Sequence, residues 1–169
     1  GLYDPALEKD SCGVGFVAHV KGTPSHEILT DAYHINSRMD HRGGCGFEEN
    51  TGDGAGIMTA IPHTFMQKVA ADWGITLPEI GGYAVGNVFL PHDEAQRTAL
   101  KAAFNAELIK VGLTPLGYRL VPLRPDEANI GPAARDAMPC IEQVIVGGGT
   151  PGDHTLDHAL YFARKRFIR

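Results

Sequence analysis

The chain has 169 residues, of which 43% are apolar and 21% are charged, which is typical of a globular domain with its own hydrophobic core. The formal net charge of −5 argues against a nucleic-acid partner, because phosphate-binding domains usually carry a basic patch. No apolar stretch is long enough to cross a membrane, and the first residues lack the basic-then-apolar pattern of a signal peptide, so we expect no membrane partner either.

The first half of the chain predicts two strands and two helices around a glycine-rich loop. Residues 1–11 form a polar leader without apolar periodicity, and the polarity falls at Cys12, where we expect the folded domain to begin. The predicted elements are a strand over Val14–Val20, a helix over Ser25–Met39, a loop over His41–Gly56, a strand over Gly56–Ile61 and a helix from Pro62 to Gly74. The apolar stripes of the helices are predicted at Ile28, Ala32, Ile35 and Met39 and at Phe65, Val69 and Trp73.

The second half predicts strands that alternate with helices, as in a small α/β sandwich, with a subdomain boundary near Leu77–Gly82. The predicted elements are a strand over Tyr83–Leu90, a long helix capped by Asp93 and stopped by Gly112, a strand over Tyr118–Leu123, a short helical turn over Ile130–Ala137, a strand over Ile141–Val146 and a last helix capped by Asp153. The apolar residues of the last helix are Leu156, Leu160 and Ala163.

The cysteine pattern indicates neither a disulfide framework nor a zinc ribbon, because the number is odd and no CxxC pair occurs. A reducing compartment fits best. His41 and Cys45 lie four residues apart, but the two glycines between them would break the helix that would bring them to one face, so no metal site is predicted. We assign Cys45 and Cys140 structural roles.

Cys12 is the candidate nucleophile. A thiol reacts as its thiolate and needs a nearby base or a lowered pKa. If the Ser11–Cys12 bond were cut, the freed α-amine, with a pKa near 8, would supply that base on the same residue. The alternative interpretation is a small buried residue at the start of a strand, which is common for cysteine.

Two further stretches carry candidate site residues. Arg42, followed by Gly43, is suited to hold a carboxylate through two hydrogen bonds, or it is a surface arginine near a helix end. The glycines of NTGDGAG, at 52, 54 and 56, allow positive φ and close backbone approach, or they simply form a tight turn into a strand. As a phosphate loop the match is weak, because no lysine follows and no helix starts there.

Taken together, DSCGVGFVAHVKG and RMDHRGGCGFEENTGDGAGI resemble the start of the glutaminase domain of the glutamate synthases, large-subunit or ferredoxin-dependent. That domain is a class II glutamine amidotransferase and an N-terminal-nucleophile hydrolase. YAVGNVFLP, MPCIEQVIV and ALYFARKR resemble the same family, so the resemblance covers nearly the whole chain. Another class II amidotransferase is the alternative within enzymes.

The resemblance implies a role for each candidate residue. Cys12 would attack the side-chain amide of glutamine after removal of a propeptide-like leader, residues 1–11, and release ammonia through a glutamyl thioester. Arg42 and Gly43, in the HRGG motif, and the loop Thr51, Gly52, Asp53 and Gly54 would support the substrate pocket. The implied fold is α+β, a partial four-layer αββα sandwich, with residues 12–80 as the first part of the domain and residues 81–169 as an α/β insertion without chemistry.

The resemblance also sets the expected cofactors and partners. None is expected in this segment itself, whereas the complete enzyme uses FMN and an iron–sulfur cluster to aminate 2-oxoglutarate. The expected partners are glutamine, the remaining glutamate synthase domains, and a small NADPH-oxidising subunit or ferredoxin. The expected location is the cytoplasm, or the plastid stroma in a photosynthetic eukaryote.

Two features predict that this segment alone is inactive. The leader leaves the nitrogen of Cys12 in an amide, and the family's oxyanion-hole Asn-Gly pair does not occur in the sequence. We expect that pair beyond Arg169. The alternative to an enzyme is a catalytically incompetent fragment that serves as an interaction module.

Overall fold

Helices dominate the described part of the chain, with one small antiparallel sheet among them. The computed structural model describes residues 13–39, 48, 55–150, 152 and 154–168. Within these residues the elements are α1 (His26–Arg38), α2 (His63–Asp72), β1 (Tyr83–Leu90), α3 (Glu94–Lys110), β2 (Thr114–Leu120), α4 (Pro132–Ala137), β3 (Cys140–Gly147) and α5 (Thr155–Phe167). Helices beside an antiparallel sheet agree with the α+β class; the four-layer sandwich stays a prediction.

The chain divides into two compact units. The first unit contains Gly1–Ala60 and Arg124–Ala137, and the second contains Ile61–Leu123 and Met138–Arg169. The chain therefore leaves the second unit after β2, contributes α4 to the first unit, and returns for β3. The division at residues 80 and 81, drawn from the sequence, stays a prediction about the family domain.

The sheet of the second unit has the order β1-β3-β2, and both pairs are antiparallel. β3 is the central strand, so its residues face a neighbour on both sides and it is the most buried of the three. At mid-strand Ile145 lies between Val85 of β1 and Gly117 of β2. Alternate residues of β3 consequently point to opposite faces of the sheet.

Each face of the sheet has its own apolar cluster. Val144 and Val146 pack on the face covered by α3 and α5, where Leu108 and Ala163 are fully buried. Ile145 packs on the opposite face, against Met66 and Ala70 of α2 and Tyr83 of β1. The second unit is thus a three-layer arrangement with the sheet in the middle.

Side-chain caps explain where α1 and α3 begin. The Ser25 side chain accepts a hydrogen bond from the Glu27 amide at 3.1 Å, and the Asp93 side chain accepts one from the Gln96 amide at 2.8 Å. Both caps agree with the sequence prediction. The predicted cap Asp153 lies outside the described residues, and His154 occupies the N-cap position of α5.

Two predicted strands are wrong for the described residues. Val14–Val20 and Gly56–Ile61 contain no paired strand residues, and Val20 lies in a turn. Val14, Phe16 and Met58 are almost wholly exposed, so no apolar layer covers them in the described part of the chain. A β-strand requires a ladder of hydrogen bonds to a partner, which β-branched and apolar residues alone do not supply.

Two smaller predictions are also wrong. β2 begins four residues before Tyr118 and ends at Leu120. The strand includes Pro115 because an edge strand tolerates proline, and the pairing with β3 shifts between Pro115 and Gly117. In α2 the buried residues are Met66 and Ala70, whereas Phe65 and Trp73 are more than half exposed. The small side chain of Ala70 lets the helix approach the sheet closely.

Candidate active site

The predicted site residues Cys12, Arg42, Gly43 and Thr51–Gly54, together with Cys45, lie outside the described residues. Their roles therefore stay predictions. The structure does describe the segments that flank them in the chain: Gly13–Val20, the end of α1, Glu48, and the segment from Ala55.

The segment that follows Cys12 packs against the last turn of α1 through two glycines. A Cβ built on Gly13 would lie 2.7 Å from Sδ and 3.2 Å from Cγ of Met39. A Cβ on Gly15 would lie 2.6 Å from Cγ2 of Ile35 and 3.0 Å from Cε of Met39. At Gly15 the contact with the stiff, β-branched Ile35 leaves no room for a side chain, whereas at Gly13 the flexible thioether of Met39 would have to shift.

This contact joins two stretches that the sequence singled out separately. Gly13 follows Cys12 in the chain, and Met39 precedes Arg42 by three residues. Ile35 and Met39 belong to the predicted apolar stripe of α1, and both are half-buried. The stripe therefore serves as the surface on which the chain after the candidate nucleophile rests.

Glu48 lies between the HRGG and NTGDGAG motifs and contacts the N-terminal turn of α4. Its Oε1 accepts a hydrogen bond from the Ala133 amide at 2.8 Å, and its Oε2 accepts one from the Ala134 amide at 3.3 Å. A carboxylate at this position satisfies helix donors that have no partner within the helix and complements the helix dipole. The side chain of Glu48 is thus bonded to a backbone amide 85 residues later in the chain.

A second polar cluster lies between α3 and the sheet, in the second unit. The buried carboxylate of Glu142 binds Nζ of Lys101 at 2.9 Å, and Nε of Arg97 lies 3.8 Å from it. The Tyr118 hydroxyl donates to Oδ1 of Asn105 at 2.8 Å. Burial, and next the charge of Glu142, raise the pKa of Tyr118 to about 12. The carboxylate is neutralised by its cations, so we interpret this cluster as structural.

A third polar contact lies on the opposite face of the sheet. Nδ1 of His63 lies 3.0 Å from the hydroxyl of Tyr83, and burial raises the pKa of that hydroxyl. Tyr83 also packs in the apolar cluster beneath α2, so the contact satisfies its hydroxyl there. Among the described residues no group of three or more His, Cys, Asp or Glu side chains is arranged to hold a metal ion.

Sequence reasoning missed Glu48 and Gly131. Glu48 is one acidic residue in a loop that contains several, and nothing in its local pattern indicates a partner 85 residues away. The dipeptide Gly131-Pro132 before an alanine pair is a readable helix-start signal, since proline suits the first helical position. That signal predicts α4 and does not reveal which side chain caps it.

The chain belongs to the class-II glutamine amidotransferases, whose family model matches residues 12–169. The match begins at Cys12.

Similar proteins narrow the family further. The chain is 47% identical over 170 residues to the NADH-type glutamate synthase of Schizosaccharomyces pombe, with 99% of this chain and 8% of that protein covered. It is 37% identical to the NADPH-type glutamate synthase large chain of Bacillus subtilis, which covers 99% of this chain and 10% of that protein. It is 38% identical to ferredoxin-dependent glutamate synthase 2 of Synechocystis, over 93% of this chain and 10% of that protein. The chain thus spans about a tenth of the length of these relatives.

No helix in the described ranges is both long enough and apolar enough to cross a lipid bilayer.

Proposed function

We propose that this chain is the glutamine-hydrolysing segment of a glutamate synthase, with Cys12 as its nucleophile. The observation that carries the proposal is the class-II amidotransferase match from Cys12 to Arg169, combined with similarity to three types of glutamate synthase. The packing of Gly13 and Gly15 on α1 supports the proposal, because it places the segment after Cys12 against the helix that precedes Arg42 in the chain.

The proposed reaction begins once residues 1–11 are removed and the α-amine of Cys12 is free. The amine accepts the thiol proton, and the thiolate attacks the side-chain carbonyl carbon of glutamine. The tetrahedral intermediate collapses as its C–N bond breaks, the protonated amine gives its proton to the leaving nitrogen, and ammonia departs. Water then attacks the glutamyl thioester, which releases glutamate and restores the thiol.

The remaining candidate residues act on the substrate and not on the bond that breaks. Arg42 is suited to bind the α-carboxylate of glutamine through its planar guanidinium. Gly43 and the loop Thr51–Gly54 let backbone amides approach the pocket closely. The family's oxyanion-hole Asn-Gly pair does not occur in this sequence, so the proposal assigns no oxyanion donor among its residues.

The ammonia is proposed to pass to other domains of the same protein and to aminate 2-oxoglutarate there. In that second reaction FMN and an iron–sulfur cluster, bound outside this segment, would supply the electrons, with a small NADPH-oxidising subunit or ferredoxin as donor. The hydrolytic step uses only the thiol, the amine and water, so no cofactor is proposed within this segment.

The test is a glutaminase assay on the whole-gene product with matched cysteine variants. Cys12→Ala removes the nucleophile and is expected to lower glutamate release to background. Cys140→Ala changes a cysteine at the start of β3 and is expected to keep activity within about twofold, as a change away from the site would. Equal activity in both variants would show that Cys12 is not the nucleophile.

A further inference from the structure

We propose that the outer edge of β1 is a docking surface for one more strand, and that the first strand after α5 in the whole-gene product occupies it. Among the described residues, β1 and β2 are the two outer strands of the sheet. The added strand would run antiparallel to β1 and make β1 an inner strand of a four-stranded sheet. This inference concerns the second unit alone and does not rest on the proposed function.

The first argument is the contrast between the two outer strands of the described sheet. An exposed strand edge pairs readily with other strands, so proteins usually protect it with a charged residue, a proline or a bulge. β2 has all three, namely Arg119, Pro115 and the register shift between Pro115 and Gly117. β1, with the sequence YAVGNVFL, has no charged residue and no proline, and its pairing with β3 is unbroken from Tyr83 to Leu90. β2 is thus suited to end a sheet, whereas β1 is suited to pair.

The second argument is the direction of α5. A Cβ built on Gly149 would lie 2.7 Å from Cδ2 of Leu156, and the Gly149 amide donates to the carbonyl oxygen of Gly82 at 3.2 Å, so α5 begins beside the start of β1. At the end of α5, the ring centroid of Phe167 lies 5.1 Å from that of Phe104, in the middle of α3. α5 therefore runs from the start of β1 towards its end, and a strand that follows α5 returns antiparallel to β1.

The third argument is that α5 covers the β1 side of the sheet. α3 lies over β2, since the Tyr118 hydroxyl donates to Oδ1 of Asn105 at 2.8 Å. α5 packs beside α3 on the same face of the sheet. Ala84 and Val88 of β1 pack against the apolar cluster to which α5 contributes Leu156. The outer edge of β1 is therefore the edge nearer to α5.

The fourth argument is the handedness of the connections. β1 and β2 are parallel to each other, because both are antiparallel to β3, and α3 connects them across one face of the sheet. Such crossovers are right-handed in about 98% of cases. α5 lies on the same face but follows β3, which runs in the opposite direction to β1. A right-handed return from β3 on that face passes over β1 and not over β2, which places the next strand at the outer edge of β1.

The occupant follows from the same topology. β1, α3 and β2 form one split βαβ unit around β3, and β3, α5 and the added strand would form a second unit around β1. The relatives contain ample chain for such a strand, because this chain spans about a tenth of their length. The handedness favours the chain after α5 over a second copy of the protein, which is the alternative occupant of an unprotected edge.

The experiment places a photoreactive side chain on each outer strand of the whole-gene product. Phe89→p-benzoylphenylalanine labels β1 at a side chain that is 67% exposed, and Leu120→p-benzoylphenylalanine is the matched control on β2, at a side chain that is 55% exposed. The two positions lie near the same end of the sheet, opposite Ile141 and Glu142 of β3. Cβ atoms of directly opposite residues on neighbouring strands lie about 4.5–5.5 Å apart, so the captured peptides, identified by mass spectrometry, reveal the strands beside each label.

We expect both labels to capture β3, and only the label at position 89 to capture the first strand after α5. Hydrogen exchange in the unlabelled whole-gene product provides a second measurement. Alternate amides of an outer strand have no partner in the sheet, whereas every amide of an inner strand has one. Consecutive amides of β1 should therefore all exchange slowly, whereas those of β2 should alternate between slow and fast by at least about tenfold.

Each contrary outcome overturns a stated part of the proposal. Capture of the first strand after α5 from position 120 instead of 89 would refute the handedness argument. Capture of another segment from position 89, or a crosslinked dimer of two copies, would refute the proposed occupant. Alternating exchange along β1 would show that its outer edge is free and refute the docking surface. None of these results depends on glutamine hydrolysis, so loss of the proposed function would leave this inference standing.

Discussion

The contact between Gly13 and Met39 provides a quantitative test of how the segment after Cys12 is held. Gly13→Ala adds one methyl group, which would meet Sδ of Met39 at 2.7 Å, Cγ at 3.2 Å and Cβ at 3.4 Å. The overlap with Sδ is about 1 Å relative to an ordinary contact of roughly 3.5–4.0 Å. Overpacking of this kind typically costs about 1–3 kcal/mol, and because the thioether of Met39 can shift, we expect Gly13→Ala to destabilise the packing of α1 by about 1 kcal/mol, the lower end of that range.

Met39→Ala should suppress the defect. It removes Sδ and Cγ and leaves only Cβ, at 3.4 Å, which is an ordinary van der Waals distance. In the double variant the new methyl group occupies part of the space that the thioether leaves. The two substitutions should therefore show a favourable coupling of about 0.5–1 kcal/mol, at the lower end of the range found for residues in contact.

The assay is hydrogen exchange of the α1 amides in a double-mutant cycle, with glutaminase activity measured in parallel. The matched control is Gly86→Ala in β1, where the added Cβ meets only Cγ1 of Val144, at 3.5 Å. That variant should stay within about 0.5 kcal/mol of the wild type. Additive effects of Gly13→Ala and Met39→Ala, with coupling near zero, would contradict the packing described here.

Three further predictions concern the second unit. Leu108→Ala should lower the free energy of unfolding by about 3–5 kcal/mol, because the Leu108 side chain is fully buried. Leu100→Ala, on an exposed face of the same α3, should lower it by about 1 kcal/mol or less. The fluorescence of the single tryptophan during denaturant unfolding measures both changes. The pKa of Tyr118 is about 12 in the folded protein and about 10 in the unfolded chain. Titration of Tyr118 should therefore leave the stability unchanged below pH 10 and lower it as the pH rises from 10 towards 12. Tyr118→Phe should reduce that fall in unfolding curves taken across this range. Lys101→Met should destabilise the unit by about 1–3 kcal/mol, because Glu142 loses its nearest cation. The double variant Lys101→Met with Glu142→Met should recover part of that stability. A double variant that calorimetry finds no more stable than Lys101→Met would refute this interpretation.

Elements with strong local signals could be predicted from the sequence. β1 was predicted with its observed bounds, Tyr83–Leu90, because a run of apolar residues ends there at a proline. The start of α3 was predicted from Asp93, and its end from Gly112, which has a φ of 82°. In each case the residues that decide the structure lie within the element or next to it.

Features that depend on distant partners could not be predicted. Val14–Val20 has the composition of a strand, but pairing and not composition makes a strand. The start of β2 could not be predicted because of Pro115, since proline normally interrupts a sheet and occurs only on edge strands or at bulges. The capping of α4 by Glu48 joins residues 85 positions apart, and no periodicity relates them.

The candidate site shows the same division. Cys12, Arg42 and the glycine loop were selected from local motifs and from resemblance, and their chemistry stays a prediction. The packing of Gly13 and Gly15 on α1 and the hydrogen bond from α4 to Glu48 are visible only in the structure. Both concern backbone approach, which a sequence indicates only by the presence of glycine.

The most direct test of the central claim is the N-terminal sequence and intact mass of the mature whole-gene product. The account predicts that the mature protein begins at Cys12, because in the proposed reaction the free α-amine of that residue is the base for its thiol. It also predicts that the same protein hydrolyses glutamine. A mature and active protein that retains Gly1 and the rest of the leader would contradict the account, since the nitrogen of Cys12 would then remain in an amide.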